Sequence, residues 1–276
     1  MSEATETVPV PGPVARPEVG VRRLEPAAIA GVMSREVANF RTFWKATTFS
    51  SVLEPVIYLL AFGLGLGATI VDKVDGLDYV EFVGTGMVAT AVIFSSALPA
   101  MYGTFIKERF QRTYDAILAA PVDVEELVTA EILWVACRAG VYCMAPLLVA
   151  VAFGLRPLPG VVLVPLVGFV TGFGFCAFGV LISAVAKGID NFNYVTSAVI
   201  TPLFLVAGTF FPISALPEGV QVIAQLNPLY HCVQLVRDAV IFGLRWADVG
   251  HAAALLGFAL IMWRLAVWRQ EKRLID

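Results

Sequence analysis

Long apolar blocks almost free of charge run through this chain, and they decide what it can fold into. Six of them reach the roughly 20 residues that an α-helix needs to cross a bilayer core. They cover about Ala46 to Ile70, Tyr79 to Gly103, Ala130 to Phe153, Pro159 to Ala186, Phe192 to Phe211 and Val249 to Trp268. Only 15% of the 276 residues are charged and 58% are hydrophobic, whereas a soluble domain carries about 25% charged residues. A soluble globular fold is therefore excluded. The reading is an all-α membrane protein with six transmembrane helices.

The stretches between the blocks carry their own signals. Residues 1–25 are rich in proline, valine and glutamate without a hydrophobic core segment. That argues against a cleavable signal peptide and for a disordered cytoplasmic tail. Over residues 26–45, Ile29, Met33, Val37, Phe40 and Trp44 recur at spacings of four and three, one face of a helix. Arg35, Arg41 and Lys45 flank that stripe, as in an amphipathic helix lying in the membrane interface; a soluble helix on a partner is the alternative. The transmembrane domain then occupies 46–276. Residues 212–246, broken by Pro212, Pro217 and Pro228, are too interrupted to span. Two short re-entrant helices packed inside protein are expected there.

Lysine and arginine set the orientation. With the N-terminus inside, thirteen of these residues fall in inner segments, among them Lys107, Arg109, Arg112, Lys187 and Arg269; only Lys73, Arg156, Arg237 and Arg245 fall outside. Both termini are expected in the cytoplasm of a bacterium, with the chain in its inner membrane.

The inner connection 104–129 contains Arg112, Tyr114 and Asp115, a break at Pro121, and a helix restart at Asp123, Glu125 and Glu126. Asp123 suits the N-cap of that restart. A short helix hung between two spans is a handle that a cytoplasmic motor could grip; an ordinary solvated loop is the alternative. Charges within spans are expensive and mark candidate sites. Glu54 and Arg138 lie at matching depth, so an ion pair between them is expected, with snorkelling of Arg138 the competitor. Pro55 and Pro202 should kink the first and fifth spans, and the Gly63–Gly67 run suits close packing or a bend.

Absent motifs narrow the function. There is no GxxxxGK[ST] phosphate loop, no HExxH and no GxSxG. His231 and His251 stand isolated in the sequence, and the four cysteines show no CxxC spacing, so no metal site is expected. A catalytic role is not supported. A secondary transporter or channel working without ATP would show inverted repeats and midplane titratable groups, and neither is visible.

From about Trp44 to Trp268 the chain resembles the ABC-2 type permeases, especially the branch of the nodulation lipo-oligosaccharide exporter. The likeness rests on Glu54-Pro55, the Gly63–Gly67 glycines, Asp75-Gly76, Gln111-Arg112-Thr113-Tyr114, Pro121, Glu131 and Trp134. It continues through Asp190, Tyr194, Thr201-Pro202, Gly208, Phe211-Pro212, Leu216-Pro217, Pro228-Leu229, His231 and Arg237.

The resemblance implies an interfacial helix, six spans, a coupling helix after the second span and re-entrant helices before the sixth. It implies partners: two copies of an ATP-binding cassette subunit, which hold ATP and Mg, and a second permease chain as a homodimer. No cofactor is expected on this chain and no nucleic acid; membrane lipid and an amphiphilic substrate are its other contacts. Arg112, Tyr114, Asp115, Pro121, Asp123, Glu125 and Glu126 would contact the ATPase. Phe62, Phe94, Thr201 and Phe210 would line the pathway, and Pro212, Pro217, Pro228, His231 and Arg237 would form a re-entrant gate. The expected activity is export of a lipid, glycolipid, lipo-oligosaccharide or hydrophobic drug.

Overall fold

A computed structural model describes residues 24–67 and 73–275. The expected 1–25 tail lies outside the described residues, apart from Leu24 and Glu25. Among the described residues regular structure is helical; the one β-type pairing is an isolated antiparallel bridge between Val74 and Leu77.

Helix α1 spans Pro26–Leu59 and continues as a π-helical stretch, Leu60–Leu66, over the glycine run. Helix α2 spans Tyr79–Arg109, α3 Thr113–Leu118, α4 Val124–Tyr142 and α5 Met144–Ala152. A 3₁₀ turn at Pro159–Leu163 leads into α6, Val164–Val185. Short helices α7, Asn191–Val195, and α8, Thr201–Leu205, flank a π-helical segment. Then come α9, Glu218–Gln225, α10, Pro228–Arg237, and α11, Ala247–Ile275.

Helix α2 is the hub. Phe82, Val83, Met87, Val88, Val92, Ile93 and Met101 leave almost nothing exposed on any of its sides, as expected of a helix apolar all round. It packs on α6, α4, α5, α1 and α10. Gly140 and Gly168 bring α4 and α6 close: a Cβ on Gly140 would lie 2.7 Å from the Pro165 carbonyl oxygen. Small residues at such crossings let backbones approach where hydrophobic driving force is weak. Helix α11 sits at the periphery, with Leu256, Leu260, Ile261 and Trp268 exposed.

Among the described residues, four helical stretches are long and apolar enough to cross a membrane: Tyr79–Arg109, Val124–Ala152, Pro159–Val185 and Ala247–Leu274. They correspond to the second, third, fourth and sixth apolar blocks. The third begins at Val124, six residues before the expected Ala130, because the restart at Asp123 is the start of that long helix itself. Across residues 45 and 46, where an interfacial helix was expected to give way to a span, α1 runs without a break. Its most buried positions near the start are Val32 and Glu36, one step from the expected stripe.

The fifth block departs from the expected continuous helix. Helical structure there ends at Leu205, so Asn191–Leu205 extends about 22 Å, short of a core of about 30 Å. Pro202 removes a backbone donor, which accompanies the π-helical segment before it, and Gly208 takes a positive φ of 81° in the turn that follows. Within 212–246 the two short helices are present as α9 and α10. Leu229, Cys232, Val233 and Val236 of α10 are buried, whereas α9 exposes Val222, Ile223 and Leu226.

Candidate functional site

The connection between α2 and α4 forms a compact elbow. Arg112 turns the chain at a φ of 52°, a left-handed conformation rare for a side chain of its kind, and α3 follows at once. A capping box then starts α4: Glu126 Oε2 accepts from the Asp123 backbone N–H at 2.9 Å, and the Asp123 side chain faces the Glu126 N–H. The other Glu126 oxygen accepts from the backbone N–H of Glu25 at 2.7 Å, which fastens the start of α1 to the same corner.

Under α3 lies a buried charged cluster. Lys107 Nζ stands 2.9 Å from Glu36 Oε1 and 2.9 Å from Glu131 Oε1, joining α2 to α1 and α4. The Tyr114 hydroxyl donates to the second Glu131 oxygen. Tyr114 is fully buried, and burial followed by the Glu131 charge pushes its phenol well above its ordinary range, so it stays a neutral donor. Beside it Arg273, at the end of α11, pairs with Glu108 of α2 and donates to the Ser183 carbonyl of α6. One layer of side chains thus gathers the ends of α1, α2, α4, α6 and α11.

The seven residues expected to face a partner divide. Arg112, Asp115 and Pro121 are exposed, Asp123 and Glu125 are half-buried, and Tyr114 and Glu126 point inward. Arg112 and Asp115 pair at 3.3 Å on the surface, where such a contact adds little stability. Tyr114 and Glu126 hold the elbow on the bundle. Sequence reasoning missed Glu36 and Lys107 as members of the cluster, and the late placement of α4 left Glu131 at a helix entrance.

Three of the four residues expected to line a pathway come together. Phe62 and Phe210 lie 4.7 Å apart between ring centroids, Phe210 and Phe204 6.0 Å, and Phe204 and Phe94 5.7 Å. Phe204, absent from the expectation, joins the others into one aromatic ladder. Thr201 instead returns its hydroxyl to the Thr196 carbonyl at 2.9 Å. Arg138 lies over the rings of Phe40 and Tyr142, 5.9 Å from each. The Glu54 side chain, its expected partner, lies outside the described residues.

At the opposite end from the elbow, Arg237 is the organising residue. Its Nη2 donates to the carbonyls of Phe82, at 3.1 Å, and Gly208, at 2.7 Å, and its guanidinium stacks 3.7 Å from the Phe82 ring. Burial lowers it to about 10, with Asp75 and Asp238 opposing, so it remains charged. It pins the 206–211 turn to α2, where Gly86 is essential: a Cβ there would lie 2.7 Å from Thr209 Cα. The three prolines start structure: Pro212 precedes a 3₁₀ turn, Pro217 precedes α9, and Pro228 opens α10. Asn227, unforeseen, accepts from the Leu229 N–H at 3.0 Å and donates to the Leu203 carbonyl at 2.6 Å.

His231 and His251, isolated in the sequence, are in fact neighbours. Their Nδ1 atoms lie 2.7 Å apart, because α10 folds onto the start of α11. No group of three His, Cys, Asp or Glu side chains suited to a metal occurs among the described residues.

Known proteins share this sequence pattern. A nodulation protein J of Sinorhizobium fredii is 33% identical over 237 residues, covering 84% of this chain and 90% of that protein. A nodulation protein J of Bradyrhizobium diazoefficiens is 28% identical over 260 residues, covering 89% and 98%. The inner membrane transport permease YadH of Escherichia coli is 27% identical over 209 residues, covering 75% and 80%. The family described as ABC-2 type transporter matches residues 28–241, a stretch running from α1 through α10 into the π-helical turn beyond. This chain belongs to the ABC-2 type transporter family.

Proposed function

We propose that this chain is the permease subunit of an ATP-driven exporter that moves an amphiphile, such as a lipid, glycolipid, lipo-oligosaccharide or hydrophobic drug, out of a bacterial cytoplasm or inner leaflet. In this reading the chain crosses the inner membrane six times with both termini in the cytoplasm, and α1 and the 191–211 segment complete the crossings. A second permease copy encloses the path, and two ATP-binding subunits hold ATP and Mg beneath the pair. The chain itself transmits force and does no bond chemistry.

The observation that carries the reading is the elbow. Its exposed face is small, formed by Arg112, Asp115, Ala116 and Pro121, while Tyr114 beneath it reaches Glu131 and, through that carboxylate, Lys107 and Glu36. A push on α3 therefore reaches three long helices at once. The aromatic ladder from Phe62 to Phe94 gives the apolar part of a substrate a surface to slide against, and the Arg237 knot closes the far end.

The test uses the complete transporter reconstituted in liposomes with its ATP-binding subunit. Ala116→Arg places a bulky charge on the exposed face of α3 without touching the buried cluster. Loss of transport and of substrate-stimulated ATP hydrolysis, with the unfolding midpoint retained, supports the reading. Full coupling in that variant overturns it.

A further inference from the structure

A groove of about 490 Å³ opens on the side of the bundle between α6, α11 and the end of α10, away from the aromatic ladder. Leu166, Val170, Leu235, Ala252 and Leu256 make its walls, and its only charged lining residues are Arg245 and Asp248. The volume lies in the range of small-molecule sites, though the lining is more apolar than most.

Its depth matches one leaflet. From Asp248 at the mouth to Leu256 is eight residues of helix, about 12 Å, against about 15 Å for half of a bilayer core. Trp246, 92% exposed, stands beside the mouth, where aromatic residues mark the membrane–water boundary.

The charges at the mouth are of both signs. The Arg245 side chain is 61% exposed, and its Nη2 stands 3.9 Å from Asp238 Oδ1, a loose contact. Asp248 is 95% buried by its 5% exposure. Its Oδ2 accepts from the Arg245 backbone N–H at 2.6 Å, and its carboxyl lies within hydrogen-bond reach of the Asp238 carboxyl. Two carboxyl groups in contact cannot both ionise without cost, so the pair calls for a cation or N–H donors from outside.

We propose that this groove holds one acyl chain of a zwitterionic aminophospholipid from the outer leaflet, its phosphate on Arg245 and its ammonium toward Asp248 and Asp238. A purely anionic headgroup would satisfy the arginine but face two carboxylates, and a choline headgroup would bring charge without an N–H donor. Placement in the outer leaflet rests on the orientation given under the proposed function; the site itself does not depend on ATP, on a motor or on transport.

The experiment uses the full chain in nanodiscs of pure phosphatidylethanolamine, phosphatidylglycerol or phosphatidylcholine, released into native mass spectrometry. Phosphatidylethanolamine is expected to stay bound at one molecule per chain, at least fivefold more often than either competitor. Ala252→Trp fills the groove floor and should abolish retention, and Arg245→Gln should reduce it several-fold. Chain-brominated phosphatidylethanolamine should quench Trp246 more than brominated phosphatidylglycerol, an arm that needs no groove-filling variant if Ala252→Trp fails to fold. Equal retention of all three lipids, meaning annular lipid only, overturns the site, as does unchanged retention in Ala252→Trp. A second chain crosslinked through Leu256 in place of lipid also overturns it. Trp246→Cys labelled by an impermeant thiol reagent from the cytoplasmic side alone would break the orientation while leaving lipid binding intact, so the two failures are distinguishable.

Discussion

At the elbow Lys107 holds two carboxylates that belong to different helices, while at the far end Arg237 holds two peptide carbonyls. Both cations are largely withdrawn from water, and both join elements distant in sequence. The difference lies in what they grip. A side-chain carboxylate can rotate away with its own helix and can be removed by substitution; a carbonyl moves only with the backbone. The elbow is thus a joint between side chains on α1, α2 and α4, whereas the far end is a turn welded to α2. Such a contrast suits a structure that receives displacement at one end and resists it at the other.

The sharpest way to break the comparison is to remove the two cations and look for rescue. Lys107→Met leaves Glu131 to the Tyr114 hydroxyl and Glu36 to the part-exposed Arg35 at 3.0 Å, and loss of one partner from a buried ion cluster costs up to about 3–5 kcal/mol. Neutralising both carboxylates in Lys107→Met/Glu36→Gln/Glu131→Gln should restore much of that, because the two negative charges Lys107 had balanced are gone. Thermal unfolding in a single detergent reads both outcomes. A triple variant no more stable than the single one would show that the ions are not acting on one another. Arg237 admits no equivalent rescue, since its two nearest acceptors are main-chain carbonyls and its third, the Thr85 hydroxyl at 3.4 Å, is uncharged.

Arg237→Lys sharpens the other side. The substitution keeps the charge but gives up the planar fork, and hydrogen bonds to a charged donor contribute about 1.5–3 kcal/mol each. A loss of about 2 kcal/mol is expected, together with faster proteolysis within 206–211 as that turn comes free of α2. Unchanged cleavage would mean that Gly86 and the Tyr79 hydroxyl, which donates to the Phe210 carbonyl at 3.3 Å, hold the turn unaided. Tyr114→Phe should cost somewhat less, about 1.5 kcal/mol, because Glu131 keeps Lys107. Its larger consequence is loose coupling: ATP hydrolysis by the reconstituted transporter should continue while transport per ATP falls. Retained coupling would remove Tyr114 from the line of force.

The two ends also differ in how far the sequence revealed them. Local signals held: Asp123 starts a helix as its cap chemistry requires, and Pro217 and Pro228 begin α9 and α10 where prolines favour helix starts. The apolar blocks became helices because a helix satisfies its own backbone donors and acceptors without water. Glu131 was named only for the resemblance, and its place in the cluster escaped because Lys107 and Tyr114 reach it across a turn that no helix spacing rule covers. Glu36 escaped because its partner Lys107 lies 71 positions away, and no spacing rule reaches that far. The fifth block looked long enough to span; a kink at Pro202 was expected, but not the helix end at Leu205 or the Gly208 turn. Phe62, Phe94 and Phe210, expected from the resemblance to line a pathway, lie along one ladder of rings, and Phe204, which joins them, was not expected, since its neighbours are set by packing across helices.

The smallest expected effect separates the far end from the elbow by pH. Burial, and then His251 beside it, lowers the His231 imidazole below its ordinary value near 6.5. The unfolded chain therefore takes up a proton there more readily than the folded one. Stability is complete above that value and is lost as pH falls through it. Asp238 works in the opposite sense: burial and Asp248 push its carboxyl up to about 6, so its share of stability declines as pH rises from about 4 to 6. Comparing His231→Gln with the parent chain cancels Asp238, which both retain. Between pH 7.5 and 5.5 the parent should lose more of its unfolding midpoint than the variant. Partial exposure screens the imidazole pair, which limits the difference to roughly 1–2 °C. Equal pH responses would mean that the 2.7 Å contact between the rings accommodates a second proton by rotation. The far end would then be as adjustable as the elbow.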